Sequence, residues 1–554
     1  MVRAFLSAMG LEVRGMHQAA YLLAAFALLS QLLALVRDRL FAASFGASST
    51  LDVYYAAFRV PDLLFATIAS LLSLYALLPI LSRLQEEGRG ATAFLDKALV
   101  VFFCAMGVVA AALWLVMPAL APLIAPGLDH SQLVLLARIL LLQPIFLGAS
   151  NIVASLTQLR HRFVLYAVSP LLYNLGIIFG VLALYPRMGL AGLGWGVVAG
   201  AVLHLAVQLP FYTKEERGAR IRTGEALRYV REVLVLSVPR TLALGAGQFS
   251  LLILTAMASF LAPGSIAVFT FAFNLQAVPL AIIGVSYSVA AFPTLSRLHA
   301  AGERDEFIKH IEAALRHMLF WAIPATVFVI VLRAQLVRTI LGAGMFDWEA
   351  TRLVAAALAL FIVSLSAQSV TLLVARGYYA AGRVARPLLF ATLSVLVAVV
   401  SASILTAAFH SHALLRDFLE SLLRVGDIPG TTVLMLAMAY AAGALAQAGF
   451  GLRYFAHDFS LSLRPLGRLV FESSSAAIIG GAAAYATLAY VGSRVDINTT
   501  AGIVSQGAIA GVLGLAVTAA TLALLRNREC IEAWAALQRR LIKEPPAVEA
   551  TEVA

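Results

Sequence analysis

The chain has little charge and few cysteines or lysines for its length. Only 12% of its 554 residues are charged and 61% are hydrophobic, which excludes a soluble globular protein. Its two cysteines, Cys104 and Cys530, are too few for a disulfide framework, and no Cys/His spacing is typical of a metal site. None of the four lysines stands in a Gly-Lys-Ser/Thr phosphate loop, which excludes ATP hydrolysis by that route. We therefore predict neither a metal nor a cofactor.

Long apolar segments dominate the rest of the sequence, from Tyr21 to Leu525. A helix of about 20 apolar residues crosses the ~30 Å hydrocarbon core, where it satisfies its own backbone hydrogen bonds. We predict an all-α polytopic membrane protein with about 14 transmembrane helices. These spans centre on residues 20–36, 53–81, 98–123, 133–156, 164–184, 189–211, 231–257, 266–292, 312–331, 353–375, 387–408, 431–453, 468–491 and 501–525.

The formal net charge of +11 is spread over the loops and not concentrated in one domain. This dispersion argues against nucleic acid as a partner. Most of the 40 lysine and arginine residues fall in loops on one side of the predicted membrane, and an even number of spans places both termini on that side. The excess of positive charge predicts that this side is cytoplasmic.

Two segments outside the predicted spans have an amphipathic pattern. Residues 413–425 place Leu415, Phe418, Leu419 and Leu422 on one helical face, which predicts a short helix lying on the outer membrane surface. The tail around residues 531–542 has a similar pattern.

The chain contains an internal repeat at an offset of about 215 residues. The segment starting at Ala43 (ASFGASSTLDVYYAAFRVP) aligns with the one starting at Ala258 (ASFLAPGSIAVFTFAFNLQAVP), which brings Pro61 opposite Pro279. Parallel repeats of this kind build two-lobed transporters with a central site, and the alternative is coincidence between apolar sequences. The predicted division is an N-lobe at 1–225, a C-lobe at 226–460, two further spans at 461–525 and a cytoplasmic tail at 526–554.

Charged residues at membrane depth concentrate in the first two predicted spans. A charge at mid-bilayer costs roughly 2.5–3.5 kcal/mol on insertion scales, so it usually faces a cavity or a partner. Asp52, Tyr55 and Arg59 follow one helical stripe, and Pro61 predicts a kink just beyond it. The charged residues of the two spans are Arg37, Asp38, Arg39, Asp52, Arg59 and Asp62.

Two interpretations apply to these charges. Ordinary ion pairs near an interface account best for Arg39 and Asp62, whereas Arg240, directly after Pro239, fits that interpretation and a binding role equally. Arginine inside a cavity suits a phosphate group, because its planar fork donates two hydrogen bonds at once. We predict a functional cavity for the remaining four residues, Arg37, Asp38, Asp52 and Arg59.

At these residues the chain resembles the MurJ/MviN family of lipid II flippases, within the multidrug/oligosaccharidyl-lipid/polysaccharide exporter superfamily. The resemblance implies two six-helix lobes related by a pseudo-two-fold axis along the membrane normal, plus two C-terminal helices. It also implies transport of an undecaprenyl-diphosphate-linked peptidoglycan precursor from the inner to the outer leaflet by alternating access of a central cationic cavity. The motifs that carry it are VRDRLFAASFG, LDVYYAAFRVPDLL, SPLLYNLGIIFG, GLGWGVVAGAVLHLAVQLP, VPRTLALGAGQFSLL, AAFPTLSRL, LGAGMFD and ARGYYAAG.

The match to the family pattern is incomplete. Arg37 and Asp38 match an Arg-Asp pair of the first helix, Asp52 an acidic residue of the second, and Arg59 a position that is usually basic. Other charged residues of the family are replaced. Gln31, Phe65 and Ala66 stand where the family often has arginine, and around the eighth helix Phe273, Asn274 and Ala277 replace an Asp-Arg pair and a following acidic residue. By the resemblance we predict Gln31 and Asn274 as further substrate-binding positions, and we add Arg240 from its place directly after Pro239.

The leading hypothesis is therefore a lipid II flippase, not an enzyme, in the bacterial cytoplasmic membrane. Its expected partners are the lipid-linked saccharide, membrane lipids and cell-wall synthases. The alternatives are export of another polyprenyl-linked glycan or of a small amphiphile, a membrane glycosyltransferase, and a non-transporting scaffold for cell-wall enzymes. The energy source stays open between membrane potential and coupling to protons or sodium through Asp38 or Asp52.

Overall fold

The structure, a computed structural model, describes residues 16–72, 74–87, 91–212, 223–496 and 499–541. Every regular element in these ranges is a helix. The α-helices of the first part are Met16–Phe45, Ser49–Ala57, Arg59–Thr67, Leu74–Glu86, Ala91–Ile124, His130–Leu140, Gln143–Leu159, Phe163–Phe179, Tyr185–Met188 and Leu190–Ala206. The remaining α-helices are Thr223–Ser259, Ser265–Leu280, Ser286–Ala300, Arg304–Val331, Arg333–Leu341, Trp348–Ile362, Leu365–Ala380, Ala385–Ser411, Ala413–Leu423, Val433–Phe459, Arg464–Gly492, Thr500–Leu524 and Arg528–Leu541.

Many of these helices have the length and apolar character of membrane spans. Within the described ranges, ten helices pass this test, and the pair Trp348–Ile362 and Leu365–Ala380 passes it when counted as one. The prediction of an all-α, multi-pass membrane protein is thereby confirmed. The number fourteen and the pseudo-two-fold relation stay predictions.

Large apolar side chains lie exposed on the surface of these helices. In Ala91–Ile124, Val108, Leu115 and Leu123 are each about 70% exposed, at 70%, 68% and 72%. A water-soluble protein does not present so much contiguous apolar surface, whereas lipid tails solvate it without cost. This helix therefore faces hydrocarbon over much of its circumference.

The chain forms two compact units. The first comprises residues 1–278, 340–361 and 383–447, and the second comprises residues 279–339, 362–382 and 448–554. The lobe boundaries predicted from the repeat stay a prediction, since they describe a different division of the chain.

Each unit is held together by close apolar packing. In the first, Gly176 and Gly200 let two helices touch backbone to backbone, because a Cβ on Gly176 would lie 2.2 Å from the Gly200 Cα. In the second, Ile283, Ala322, Ile362 and Leu365 form a buried apolar cluster. Close contact between glycines thus packs two helices of the first unit, and a cluster of apolar side chains packs part of the second.

The second predicted span is broken into short helices, and the break comes earlier than we predicted. Ser49–Ala57 ends at Phe58, and Arg59–Thr67 starts directly after it. Pro61 has no N–H for the Ala57 carbonyl, and its ring crowds that carbonyl, so the helix is interrupted before the proline. The interruption falls inside the predicted stripe and separates Tyr55 from Arg59.

The predicted amphipathic helix is present at Ala413–Leu423. Its most exposed large side chains are Leu414, Phe418 and Leu422, at 87%, 63% and 61%. They recur every four residues and so share one face. Leu415 and Leu419, predicted for the apolar face, are only partly exposed.

Candidate functional site

Arg37 and Asp38 form an ion pair deep in the first unit. Nε and Nη2 of Arg37 donate to Oδ1 of Asp38 at 3.0 and 2.7 Å. Nη1 of Arg37 donates to Oδ1 of Asn174 at 3.2 Å. All three guanidinium nitrogens are thus engaged, while the Asp38 residue is only 4% exposed.

Asn274 completes this network from a third helix. Its Nδ2 donates to Oδ2 of Asp38 at 3.0 Å. The chain Asn174–Arg37–Asp38–Asn274 therefore ties the helix Met16–Phe45 to two helices that follow much later in the sequence. Because both Asp38 oxygens accept hydrogen bonds, the cost of burying this carboxylate is largely offset.

A cavity of about 230 Å³ lies beside this network, entirely within the first unit. It contains two arginines, one carboxylate, and a wall rich in aromatic rings. Three predicted site residues lie in its lining, namely Arg37, Arg59 and Asn274. The full lining is Arg37, Phe41, Tyr54, Tyr55, Phe58, Arg59, Asp62, Tyr173, Ile177, Gln248, Leu251, Phe269, Thr270, Phe273 and Asn274.

Arg59 is buried at the cavity wall with most of its hydrogen-bonding capacity unused. The residue is 8% exposed, and its Nε donates to Oγ1 of Thr255 at 2.8 Å. Within the described part of the chain, Nη1 and Nη2 of Arg59 donate no hydrogen bond. Asp62, one turn farther on, also lines the cavity.

Asp52 is placed differently from the other predicted residues. Its residue is 2% exposed, and its two oxygens accept hydrogen bonds from the backbone N–H groups of Gly264, at 2.5 Å, and Ala267, at 2.8 Å. These are orphan donors at the start of the helix Ser265–Leu280, so Asp52 acts as a cap supplied by a distant segment. Asp52 borders a different cavity, of about 370 Å³.

Further contacts join the end of the first helix to residues 340–345. Nη1 of Arg39 donates to the Ile340 carbonyl at 3.1 Å, and the Met345 N–H donates to the Ala43 carbonyl at 2.9 Å. Arg39 thus serves backbone carbonyls and not a carboxylate in these contacts. We call the set Arg39, Ala43, Asp52, Gly264, Ala267, Ile340 and Met345 the capping cluster.

Two predicted residues have no established place at the cavity. Gln31 lies on the helix Met16–Phe45, partly buried, and is not among the residues that line the cavity. Arg240 lies on the helix Thr223–Ser259, but its side chain falls outside the described part of the structure. Their binding roles stay predictions.

Sequence reasoning missed several residues that shape the site. Asn174, Thr255 and Thr270 are neutral and stand inside apolar helices, so a search for charges passed over them. Asn174 does stand within the quoted motif SPLLYNLGIIFG, which was the available signal. A polar side chain in a span, and not only a charged one, marks a candidate partner.

The arrangement favours an anionic or strongly hydrogen-bonding group. Two arginines face one lining carboxylate, and aromatic rings supply the remaining wall. Among the described residues, no group of three or more His, Cys, Asp or Glu is placed to hold a metal ion. A polar cavity inside a bundle of apolar helices is the feature of a membrane protein that passes polar groups through the bilayer.

Comparison with known proteins agrees with this class. A family model described as "Lipid II flippase MurJ" matches residues 41–499. The chain therefore belongs to the MurJ family. It is 30% identical over 368 residues to the lipid II flippase MurJ of Burkholderia cenocepacia, covering 64% of this chain and 71% of that protein. It is 26% identical over 499 residues to a probable lipid II flippase MurJ of Bdellovibrio bacteriovorus, covering 86% of this chain and 94% of that protein.

Solved structures show the same fold. A lipid II flippase MurJ in an inward closed conformation superposes with a TM-score of 0.72 at 20% identity, covering 92% of this chain and all of that one. An inward-facing multidrug resistance MATE family transporter of the MOP superfamily gives a TM-score of 0.64 at 14% identity, covering 78% and 94%.

Proposed function

We propose that this chain is a flippase that moves lipid II, the undecaprenyl-diphosphate-linked peptidoglycan precursor, from the inner to the outer leaflet of the bacterial cytoplasmic membrane. It is a transporter and not an enzyme. The single observation that carries the proposal is the cavity with Arg37 and Arg59 in a chain of the MurJ family. Arginine forks suit the oxygens of a diphosphate, the most difficult part of this lipid to carry across hydrocarbon.

Transport proceeds by alternating access of this cavity to the two sides of the membrane. Solved structures of this fold include a multidrug resistance MATE family transporter in an inward-facing and in an outward-facing conformation, which supports two accessible states. We assign to the capping cluster the role of a contact that closes the cavity toward one side of the membrane. Opening that side would require Asp52 to release the amide groups of Gly264 and Ala267, while the Arg37–Asp38 pair stays with its own helix.

The orientation follows from the loop charges. Both termini lie in the cytoplasm, because loops rich in lysine and arginine remain on that side. Membrane lipids surround the exposed apolar helices, and cell-wall synthases on the outer face receive the product. Export of another polyprenyl-diphosphate saccharide is the second candidate, favoured by the neutral Asn274 in the cavity wall.

Complementation tests the proposal directly. The gene is expressed in bacteria depleted of their own lipid II flippase, and growth is measured together with the lipid II accessible to an external degrading enzyme. We expect rescue by the wild-type chain and by Arg187→Ala, an exposed arginine outside the cavity. We expect no rescue by Arg59→Ala at an equal level of protein in the membrane.

Two results would contradict the proposal. Failure of the correctly inserted wild-type chain to restore growth and accessible lipid II would exclude lipid II as substrate. Full rescue by Arg59→Ala would be compatible with lipid II as the substrate, but it would show that transport does not depend on Arg59 in this cavity. If the wild-type chain fails to rescue growth, binding assays with other polyprenyl-diphosphate saccharides would test the second candidate function.

A further inference from the structure

A short helix with one polar and one apolar face follows the span Thr500–Leu524. It comprises Arg528–Leu541, and only three residues separate it from the end of that span. Asn527 caps its start, because Oδ1 of Asn527 accepts a hydrogen bond from the Cys530 N–H at 3.1 Å. We call this element the tail helix. The cap fixes the point at which the tail helix begins, close to the end of a span.

Two buried polar contacts attach the start of the tail helix to other spans. Asn527 is 1% exposed, and its Nδ2 donates to Oε2 of Glu472 at 2.8 Å. Glu529 is 4% exposed, and its Oε1 accepts a hydrogen bond from Nε of Arg316 at 2.6 Å. Glu472 and Arg316 belong to two different spans. The tail helix therefore cannot turn about its own axis without breaking the Arg316–Glu529 pair.

The opposite face of the tail helix is apolar and exposed. Successive residues of an α-helix are turned by about 100°, so Ile531 points almost opposite to Glu529. Trp534 lies about one turn beyond Ile531 on the same face. Ile531 is 56% exposed and Trp534 is 61% exposed, while Leu524, which ends the preceding span, is 85% exposed. The exposed apolar residues of a membrane span are thus followed directly by those of the tail helix.

The same segment is basic, and its acidic residues are already paired. Residues 526–541 contain four arginines and two glutamates. Glu529 is paired with Arg316, and Glu532 accepts a hydrogen bond from Nε of Arg528 at 2.7 Å. An arginine-rich segment next to a span is attracted to anionic headgroups, and tryptophan is enriched at the level of the headgroups. A leaflet surface therefore matches both the basic and the apolar residues, and it continues the lipid around the span.

We propose that the tail helix binds the surface of the adjoining leaflet, with a preference for anionic phospholipids, and that the Arg316–Glu529 pair positions it there. Ile531 and Trp534 enter the headgroup region, and the arginines of the segment meet lipid phosphates. Under the proposed orientation this is the cytoplasmic leaflet. The inference requires a membrane-spanning chain and does not require that lipid II is its substrate.

The depth of Trp534 in the full-length chain tests this inference. The purified protein is reconstituted into nanodiscs of phosphatidylcholine, with or without phosphatidylglycerol. Its fluorescence is compared with that of Trp534→Phe, which isolates the signal of one of the five tryptophans. We expect phospholipids brominated near the headgroup to remove about half of the Trp534 signal, and aqueous iodide to remove little of it.

The role of the ion pair is tested by Glu529→Gln, with Glu532→Gln as the matched control at a more exposed position of the same helix. Without the pair, attraction to lipid alone orients the helix. Quenching of Trp534 by brominated lipid should therefore fall about twofold in phosphatidylcholine alone, and phosphatidylglycerol should restore it. Glu532→Gln should behave like wild type in both lipids.

A second variant separates a loss of orientation from a loss of folding. Glu529→Gln leaves the charge of Arg316 without its partner, whereas Arg316→Gln combined with Glu529→Gln removes both charges of the pair. The double variant should show the same dependence on phosphatidylglycerol as Glu529→Gln, and thermal unfolding reports whether each variant is folded.

Three results would contradict the inference. Quenching of Trp534 by iodide and not by brominated lipid would place the exposed face of the tail helix in water. Protection from both quenchers in a dimeric particle would assign that face to a second copy of the chain. Equal quenching of the folded double variant in both kinds of nanodisc would exclude the preference for anionic phospholipids.

Discussion

The capping cluster and the cavity lined by Arg37 and Arg59 bury charge in opposite ways. At the capping cluster, the two oxygens of Asp52 accept hydrogen bonds from Gly264 and Ala267. In the cavity, Arg59 donates one hydrogen bond, through Nε to Thr255, and its other two nitrogens donate none to the described residues. Burial is nearly equal, at 2% and 8% exposure. Burial alone therefore does not mark a binding site, whereas unused hydrogen-bonding capacity does.

Arg37 shows why the distinction matters. It lines the cavity, yet each of its three nitrogens donates a hydrogen bond to Asp38 or Asn174. Arg37 is a cavity residue by its position, but its hydrogen bonds to protein groups resemble those of the capping cluster. We therefore expect its substitution to lower the stability of the fold, as at the capping cluster.

The largest expected effect is that of Arg37→Ala. Removing one member of a buried ion pair leaves Asp38 uncompensated, which should lower the free energy of unfolding by about 3–5 kcal/mol. Thermal unfolding in detergent measures the change. Arg37→Gln combined with Asp38→Asn should recover most of the loss, since neither charge then remains buried. An equally unstable double variant would show that the pair is not the cause.

Asp52→Ala should have the next largest effect. The substitution leaves two buried amide groups without an acceptor, and each such group costs about 1–3 kcal/mol, so we expect a loss of about 2–4 kcal/mol in the free energy of unfolding. Asp129→Ala is the matched control, because that exposed aspartate also caps a helix, at His130–Leu140. Its loss should be about 1 kcal/mol. Equal losses for the two caps would contradict the importance of burial at Asp52.

Arg59→Gln should change stability little and binding strongly. The lost bond to Thr255 is offset by the removal of a buried charge, so the free energy of unfolding should stay within about 1 kcal/mol of wild type. A bound ligand raises the unfolding temperature in proportion to its affinity. Lipid II should therefore stabilise wild type more than Arg59→Gln. A large loss of stability without ligand would place Arg59 with the capping cluster.

The smallest effect is expected at the ion pair between Arg352, near the start of Trp348–Ile362, and Asp427, an exposed residue outside the helices. Arg352 donates to Asp427 at 2.7 Å through Nη1, and this hydrogen bond lowers the pKa of the Asp427 carboxyl. A lowered folded pKa means that the stabilisation is present above the ordinary value, about 3.9, and is lost as pH falls through the folded pKa.

Unfolding temperatures across this range provide the measurement. The difference between wild type and Asp427→Asn should be small above about pH 4 and disappear below it, because an exposed pair is screened by solvent. A difference that grew as the pH fell would contradict the assigned sign. The result provides the effect of a charge at an exposed position, with which the effects at the buried Asp52 and Arg59 can be compared.

Much of the fold was predictable because hydrocarbon imposes simple rules. Apolar segments of span length predicted an all-helical membrane protein, and Pro61 predicted an interruption of the second span. The position of that interruption was wrong by several residues, because a proline disturbs the turn before it. Fourteen spans and two equivalent lobes stay predictions.

The candidate site was predictable only in part. Charge in an apolar span pointed to Arg37 and Arg59, which both line the cavity. The same reasoning also selected Asp52, whose carboxylate serves as a helix cap in the structure. It passed over Asn174 and Thr255, which bond to Arg37 and Arg59, because an amide or hydroxyl side chain in a helix is often bonded to its own backbone, and only the surroundings show otherwise.

The sequence by itself determined the class of protein and the burial of its few charges. Helices form locally, and a backbone in hydrocarbon has no other way to satisfy its hydrogen bonds. The tertiary structure decided which buried charges are satisfied. Asp52 bonds to residues 212 and 215 positions away, and Arg37 to one 137 positions away. Whether a donor is used or left free for a ligand depends on such distant contacts, which no local pattern contains.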